Sequence, residues 1–246
     1  MISWKRFFEQ LVRTILKLAI IYWLFIVHER VVMVLLTKSY CIAFIISFSF
    51  VVLMILWYIK KEGGRCTLTF ESIRWQMWVW TLLLCIAQYM LLSVLRGKIP
   101  TLIAKDQITM EFIIASFTIV LCGPIVEEIM FRGFLQKHLS IKLPPWLAIL
   151  ITSTLFALAH YKIISNILPA FMVGIFCGII YYRTNKLILC ILYHSFFNLL
   201  GWFLQLSSKY DNLALRILIL VLVIGLAFYS IRGFTRDTSL CKNNVS

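Results

Sequence analysis

Phe112–Met130 reads FIIASFTIVLCGPIVEEIM, an apolar run whose only charges are two adjacent glutamates near its end. About 20 predominantly apolar residues cross the hydrocarbon core of a bilayer as a helix, so this stretch is long enough to be a membrane span. By the same criterion, spans are predicted before it at Leu18–Leu36, Tyr40–Ile59 and Trp75–Leu95. Four more follow at Pro145–Ala159, Ile164–Tyr182, Leu187–Leu204 and Leu213–Ser230. The predicted fold class is all-α, a polytopic membrane protein built as a bundle of about eight transmembrane helices. His28, Glu29 and Arg30 interrupt the first span, which is expected to be a tilted helix with that triplet facing other helices.

Composition supports this choice of solvent. Of 246 residues, 62% are hydrophobic and 14% charged, whereas a soluble domain carries roughly 25% charged residues. A soluble enzyme is excluded. The net charge of +14 would suggest nucleic acid in a soluble chain, but here the basic residues cluster between apolar runs. Sixteen of the 24 Lys and Arg residues fall at the N-terminus, in alternate loops and in the tail; seven fall on the opposite side, and Arg30 lies within a span. Basic loops are retained in the cytoplasm, so both termini are expected there. Membrane lipid, not nucleic acid, is the expected partner. Seven cysteines occur with no CxxC pair, which supports neither a disulfide framework nor a thiolate metal site. No small-residue cleavage site follows the first apolar run, which is read as a retained span. The expected organisation is a scaffold of three spans over residues 1–110, a core of four spans over 111–204, and a last span with a short, poorly ordered polar tail over 205–246.

Ionisable residues inside spans are costly and mark functional sites by default. Glu127 and Glu128 lie in GPIVEEIMFRGF, Gly123–Phe134, where Pro124 is expected to open the helix and free backbone groups that need partners. Glu128 and Arg132 are four apart, in the favourable order for an ion pair. Glu127 is rotated by about 100° from Glu128 and is expected to lack such a partner, which makes it the stronger base and the candidate for proton transfer. Glu128 is then the anchor. The alternative, a structural ion pair with a spare carboxylate at the membrane surface, stays open on this segment alone.

Two of the four histidines share this intramembrane character. His160 ends TSTLFALAH, with Phe156 one turn earlier, and His194 and Asn198 in LYHSFFN share a helix face. Each alone could be interhelical hydrogen bonding; their co-occurrence with paired glutamates on nearby spans points to water-mediated bond cleavage. A carboxylate would take the proton from water, histidines would orient that water or bind a metal, and an amide would donate to the developing oxyanion. Glu127, His160 and His194 also make a zinc site with an open position for water, which the sequence permits but does not demand. Gly174 and Gly178, a GxxxG pair, are read as a site of close helix approach. His28, Glu29 and Arg30 are assigned no chemistry, and His138 is expected to be exposed.

EExxxR (Glu127, Glu128, Arg132), FxxxH (Phe156, His160) and HxxxN (His194, Asn198), in this order on successive spans, resemble the CPBP family. That family comprises CAAX-processing type II prenyl endopeptidases and bacteriocin-processing enzymes, also called Abi proteins. The FRG after the glutamates and YYRTNKL, Tyr181–Leu187, fit as well, and the resemblance covers Leu121–Leu200. It implies an intramembrane peptidase reached from the cytoplasmic side, with Glu127 as water-activating base, Glu128 its neighbour and Arg132 in support. His160 and His194 would be metal ligands or water-orienting groups, and Asn198 an oxyanion donor. The implied substrate is a peptide or protein, lipidated or a bacteriocin, and the expected location is a bacterial plasma membrane. A non-catalytic immunity protein and an ion- or proton-coupled transporter are the competing readings. The latter is disfavoured because the polar groups lie in one half of the chain, not in symmetry-related halves. One geometric conflict remains. The hydropathy boundaries put Glu127 near the cytoplasmic end of its span and His160 at the far end of the next, about 22 Å away. They share a site only if the fourth span runs on past Arg132, where hydropathy ends it early, or if the fifth is short and oblique.

Overall fold

Helix follows helix along almost the whole chain in the computed structural model, which describes residues 3–36, 38–62, 68, 73–96, 98–102, 108–160, 164–209 and 213–243. Most of the loop between the second and third predicted spans, with Arg65, lies outside the described residues, as do Lys105 and Lys162 of the charge count; so does the side chain of Glu29. The helices are α1 (Trp4–Leu36), α2 (Tyr40–Glu62), α3 (Trp75–Arg96), α4 (Met110–Leu139), α5 (Pro145–Ala159), α6 (Ile164–Thr184), α7 (Leu187–Phe203) and α8 (Leu213–Asn243). Among the described residues, α3, α4, Ser165–Thr184 and Ile217–Phe234 are long and apolar enough to cross a membrane, and α5 and α7 are shorter apolar helices. The chain is a multi-pass membrane protein. Its outward faces agree: Ile20, Leu53, Leu222 and Phe228 are each at least 60% exposed, which lipid tolerates and water does not.

Three departures from the hydropathy reading have local causes. First, α1 begins at Trp4, not at Leu18, and α8 runs to Asn243, so the tail expected to be poorly ordered continues the last helix. Second, a short antiparallel ribbon is added: β1 (Lys98–Leu102) pairs with β2 (Leu204–Lys209), with a register shift at Ile99/Pro100. Third, α4 extends to Leu139 past Arg132, because that arginine is fully buried inside the bundle and is not a loop charge. Removing it from the cytoplasmic count leaves the bias intact. The triplet in α1 divides: His28 is buried and stacks on Phe50 of α2 at 4.6 Å, while Arg30 is exposed. His138 is only partly exposed and stacks on Phe7 at 5.2 Å.

The ends of α4–α7 are set by local chemistry. Thr109 caps α4 by accepting from the Phe112 N–H at 3.1 Å, with Glu111 in the first turn. Pro145 opens α5 at a position where no N–H is needed. Asn185 turns the chain between α6 and α7 at φ 51°, a conformation asparagine tolerates better than most residues.

The GxxxG pair is where α5 and α6 approach closely. A Cβ on Gly174 would lie 2.8 Å from the Ser153 Cα, and one on Gly178 would lie 2.8 Å from Ile149 Cγ2. Ser153 and Ile149 are themselves one turn apart, so two four-residue repeats mesh. The Gly174 contact is with backbone, so the helices themselves must separate to admit a side chain. Gly174→Val should therefore destabilise the protein by about 1–3 kcal/mol, the usual range for overpacking. Thermal unfolding in detergent should show a lowered midpoint, while Gly225→Ala, with open space around its Cβ, should leave it unchanged.

Candidate active site

The extension of α4 removes the conflict over depth. Glu127 lies twelve residues before the end of α4 and His160 fifteen beyond the start of α5, rises of about 18 and 22 Å from the same end of the bundle. The two are nearly level.

Glu128 is the centre of the polar network. Arg132 Nη1 donates to its Oε1 at 2.9 Å, and both side chains have 0% exposure. His194 Nδ1 lies 2.9 Å from the same oxygen. Two further donors of this face go to α6: Arg132 Nη2 to the Gly174 carbonyl and Gln136 Nε2 to the Gly178 carbonyl, each at 3.0 Å. The glycines thus have two functions. They admit α5, and they bring α6 carbonyls within reach of α4 side chains.

A carboxylate paired with a guanidinium accepts hydrogen bonds and donates none. His194 Nδ1 therefore carries the hydrogen of that bond. The ring's Nε2 lies 3.8 Å from Glu127 Oε2. Glu127, expected to lack a partner, accordingly has His194 beside it, because one imidazole bridges both glutamates. His160 is oriented similarly: its Nδ1 donates to the Phe156 carbonyl at 2.9 Å, which turns its Nε2 away from the helix backbone.

Phe156 holds these groups apart and in place. Its ring is 4.9 Å from the Arg132 guanidinium carbon, 4.8 Å from the His160 ring and 5.5 Å from the His194 ring, and Phe131 packs edge-on at 5.1 Å. The guanidinium over its face gains a cation–π contribution in a desolvated setting.

Asn198 completes the set through a backbone defect. Thr118–Cys122 is a π-turn of α4, in which the Gly123 N–H bonds the Thr118 carbonyl five residues back. The next donor in that register would be Pro124, which has none. The Ile119 carbonyl thus left over accepts from Asn198 Nδ2 at 2.9 Å. This is the freed backbone group expected from Pro124, and it leaves Asn198 one further N–H to give.

His160, His194 and Asn198 line a cavity of about 360 Å³ whose other walls include Ile119, Phe156, Asn166 and Trp202. Glu127 is not among its described walls; it reaches the cavity through His194. Of the residues singled out from the sequence, Glu127, Glu128, Arg132 and His194 thus form one network, and His160 and Asn198 face the same space. Gln136 and Asn166 were missed. Gln136 was legible in retrospect, since Arg132 and Gln136 repeat the spacing of Gly174 and Gly178. For zinc, among the described residues no three His, Cys, Asp or Glu side chains are arranged to hold a metal ion, and no step below is routed through one.

The fold and site define a multi-pass helical membrane protein with a buried carboxylate–histidine network opening onto an internal cavity. Residues 109–200, from the cap of α4 to the last turn of α7, match the family model of the Rce1-like type II CAAX prenyl endopeptidases. No curated protein and no solved structure matches the chain.

Arg132 is the test of the network as a structural unit. Arg132→Ala leaves Glu128 charged and buried, a change that typically costs about 3–5 kcal/mol. The variant should lose most of its thermal stability in detergent, whereas Asn166→Ala on the cavity wall should not.

Proposed function

We propose that the protein is an intramembrane endopeptidase of the CAAX-processing or bacteriocin-processing type, in which Glu127 activates water. The observation that supports this best is that Glu127 Oε2 and His194 Nε2 face each other at 3.8 Å. That separation is too long for a direct hydrogen bond and is bridged by one water that donates to the carboxylate. Glu127 takes a proton from it, and the oxygen adds to the substrate carbonyl carbon. The oxyanion receives the second N–H of Asn198, and the proton held by Glu127 passes to the departing amine as the C–N bond breaks. His160 Nε2 accepts a hydrogen within the cavity, from water or from a substrate N–H. Zinc, if bound, would be held by Glu127, His160 and His194 and would supply a polarised water.

The family match supports peptide as the substrate class, and a cavity of about 360 Å³ is in the range of ligand pockets. A lipidated substrate is compatible with a second, wholly apolar cavity of about 250 Å³ between α1, α4 and α5. The setting we propose is a bacterial plasma membrane with both termini cytoplasmic, and the role is maturation of, or immunity to, a bacteriocin.

Glu127→Gln keeps the shape of the side chain and removes the base. Cleavage of a quenched peptide library by purified protein in detergent should fall by about 10²–10⁴-fold, with membrane abundance unchanged. Unaltered cleavage would rule out Glu127 as the base. If the wild type protects cells from a bacteriocin and the variant protects equally, a binding role replaces catalysis for that activity. Cleavage should survive a strong chelator; loss on chelation with recovery on adding zinc would instead assign the metal role to Glu127, His160 and His194.

A further inference from the structure

We infer that the cavity is entered from the membrane face opposite the chain termini, so that the substrate is a peptide segment outside the cytoplasm. This rests on the peptidase reading above and departs from the cytoplasmic access that the family resemblance implies. The cavity is built at one end of the bundle. Its walls come from the early part of α4 (Ile119), the last turns of α5 (Phe156, His160), the first turn of α6 (Asn166) and the second half of α7 (Asn198, Gly201). Asn166 and Gly201 are exposed. The β1–β2 ribbon, which follows α3 and α7 directly, is at this same end.

The other end is closed and basic. Toward it the site is sealed by Gln136, Leu139, Ile180 and Leu187, each 4% exposed or less. The chain termini belong to that end: Phe7 of α1 stacks on His138 at 5.2 Å, and the Lys142 ammonium sits 5.3 Å from the Trp4 ring centroid. Near the other terminus, Tyr229 of α8 packs on Trp80 in the first turns of α3. Lys60, Lys61, Lys137, Arg183 and Lys186 mark this end, and loops rich in lysine and arginine stay in the cytoplasm. Charge bias and cavity position are independent observations, and together they place the opening outside.

Two serine-to-cysteine variants report the orientation without requiring activity. Cys85, Cys122, Cys177 and Cys190 are buried and can remain, while Cys41, Cys66 and Cys241 are replaced by serine in the full chain. Ser165→Cys, beside the cavity mouth, should react with a membrane-impermeant maleimide in intact cells. Ser140→Cys, on the α4–α5 turn, should react only after permeabilisation. Ser39→Cys and Ser3→Cys form a second pair with the same expected contrast, should the first be occluded. The reverse pattern, or equal labelling of both ends in intact cells, overturns the inference. In sealed right-side-out vesicles, added peptide should be cut by the wild type and not by Glu127→Gln. Cutting confined to inverted vesicles overturns the entry face but not the peptidase, whereas the expected labelling with no cutting in either orientation overturns the peptidase reading alone.

Discussion

A fully buried carboxylate and a fully buried guanidinium, Glu128 and Arg132, are paired within a membrane-spanning helix, and the rest of the core is arranged around that pair. Burying two charges is repaid only when their remaining hydrogen-bonding groups are also satisfied. Here the Gly174 carbonyl, His194 and the face of Phe156 supply part of what the pair itself cannot, while Glu128 Oε2 and Arg132 Nε are buried without a hydrogen-bond partner among the described residues. Each of these partners then constrains something else. The carbonyl requires α6 to lie close, which requires glycine where α5 crosses it. The histidine is held by its Nδ1 contact with Glu128, and that contact turns its other nitrogen toward Glu127. Phe156 sits among Arg132, His160 and His194, so three helices share one anchor.

The π-turn in α4 is a second constraint of the same kind. A proline in a membrane helix leaves carbonyls without donors, and in hydrocarbon these must find partners within the protein. Asn198 gives one N–H to the Ile119 carbonyl and is thereby fixed with the other toward the cavity. The backbone defect thus becomes a positioning device for an amide on a different helix. It also fits the occurrence of π-turns at functional sites.

Much of this was legible in the sequence, for identifiable reasons. Hydropathy placed α5 at its observed bounds and α3, α6 and α7 to within two residues, because apolar length decides those elements. It ended α4 nine residues early because it treats every arginine alike, and only tertiary structure distinguishes a buried, paired Arg132 from a loop charge. It shortened α1 and α8 for a related reason: a helix that leaves the bilayer changes its surroundings, not its backbone. The i, i+4 pairs, Glu128 with Arg132 and His194 with Asn198, were readable from spacing, as was the GxxxG contact. What spacing could not give was partnership between helices. That His194 bridges both glutamates, and that Asn198 bonds α4, depends on how α4 and α7 cross. The glycine of the FRG motif is similar: a Cβ on Gly133 would meet the Tyr58 ring at 2.9 Å, a contact with α2 that no local pattern announces.

On the proposed mechanism, the adjacency of the two glutamates follows from what each would do. A carboxylate oxygen that already accepts from both Arg132 and His194 can anchor a site but has little room to accept a hydrogen from water. A carboxylate without those two bonds can take the proton, but nothing then holds the helix at the cavity. One residue cannot satisfy both demands. Consecutive residues on a helix point about 100° apart, so neighbours in sequence face different surroundings at the same depth. One is turned to the arginine and the other to the far nitrogen of the shared histidine, which lines the cavity. Placing them a full turn apart would put both on one face and double the buried charge at the ion pair without supplying a base. On this reasoning, the EE dipeptide is the shortest arrangement that gives an anchor and a base at one level of a membrane helix.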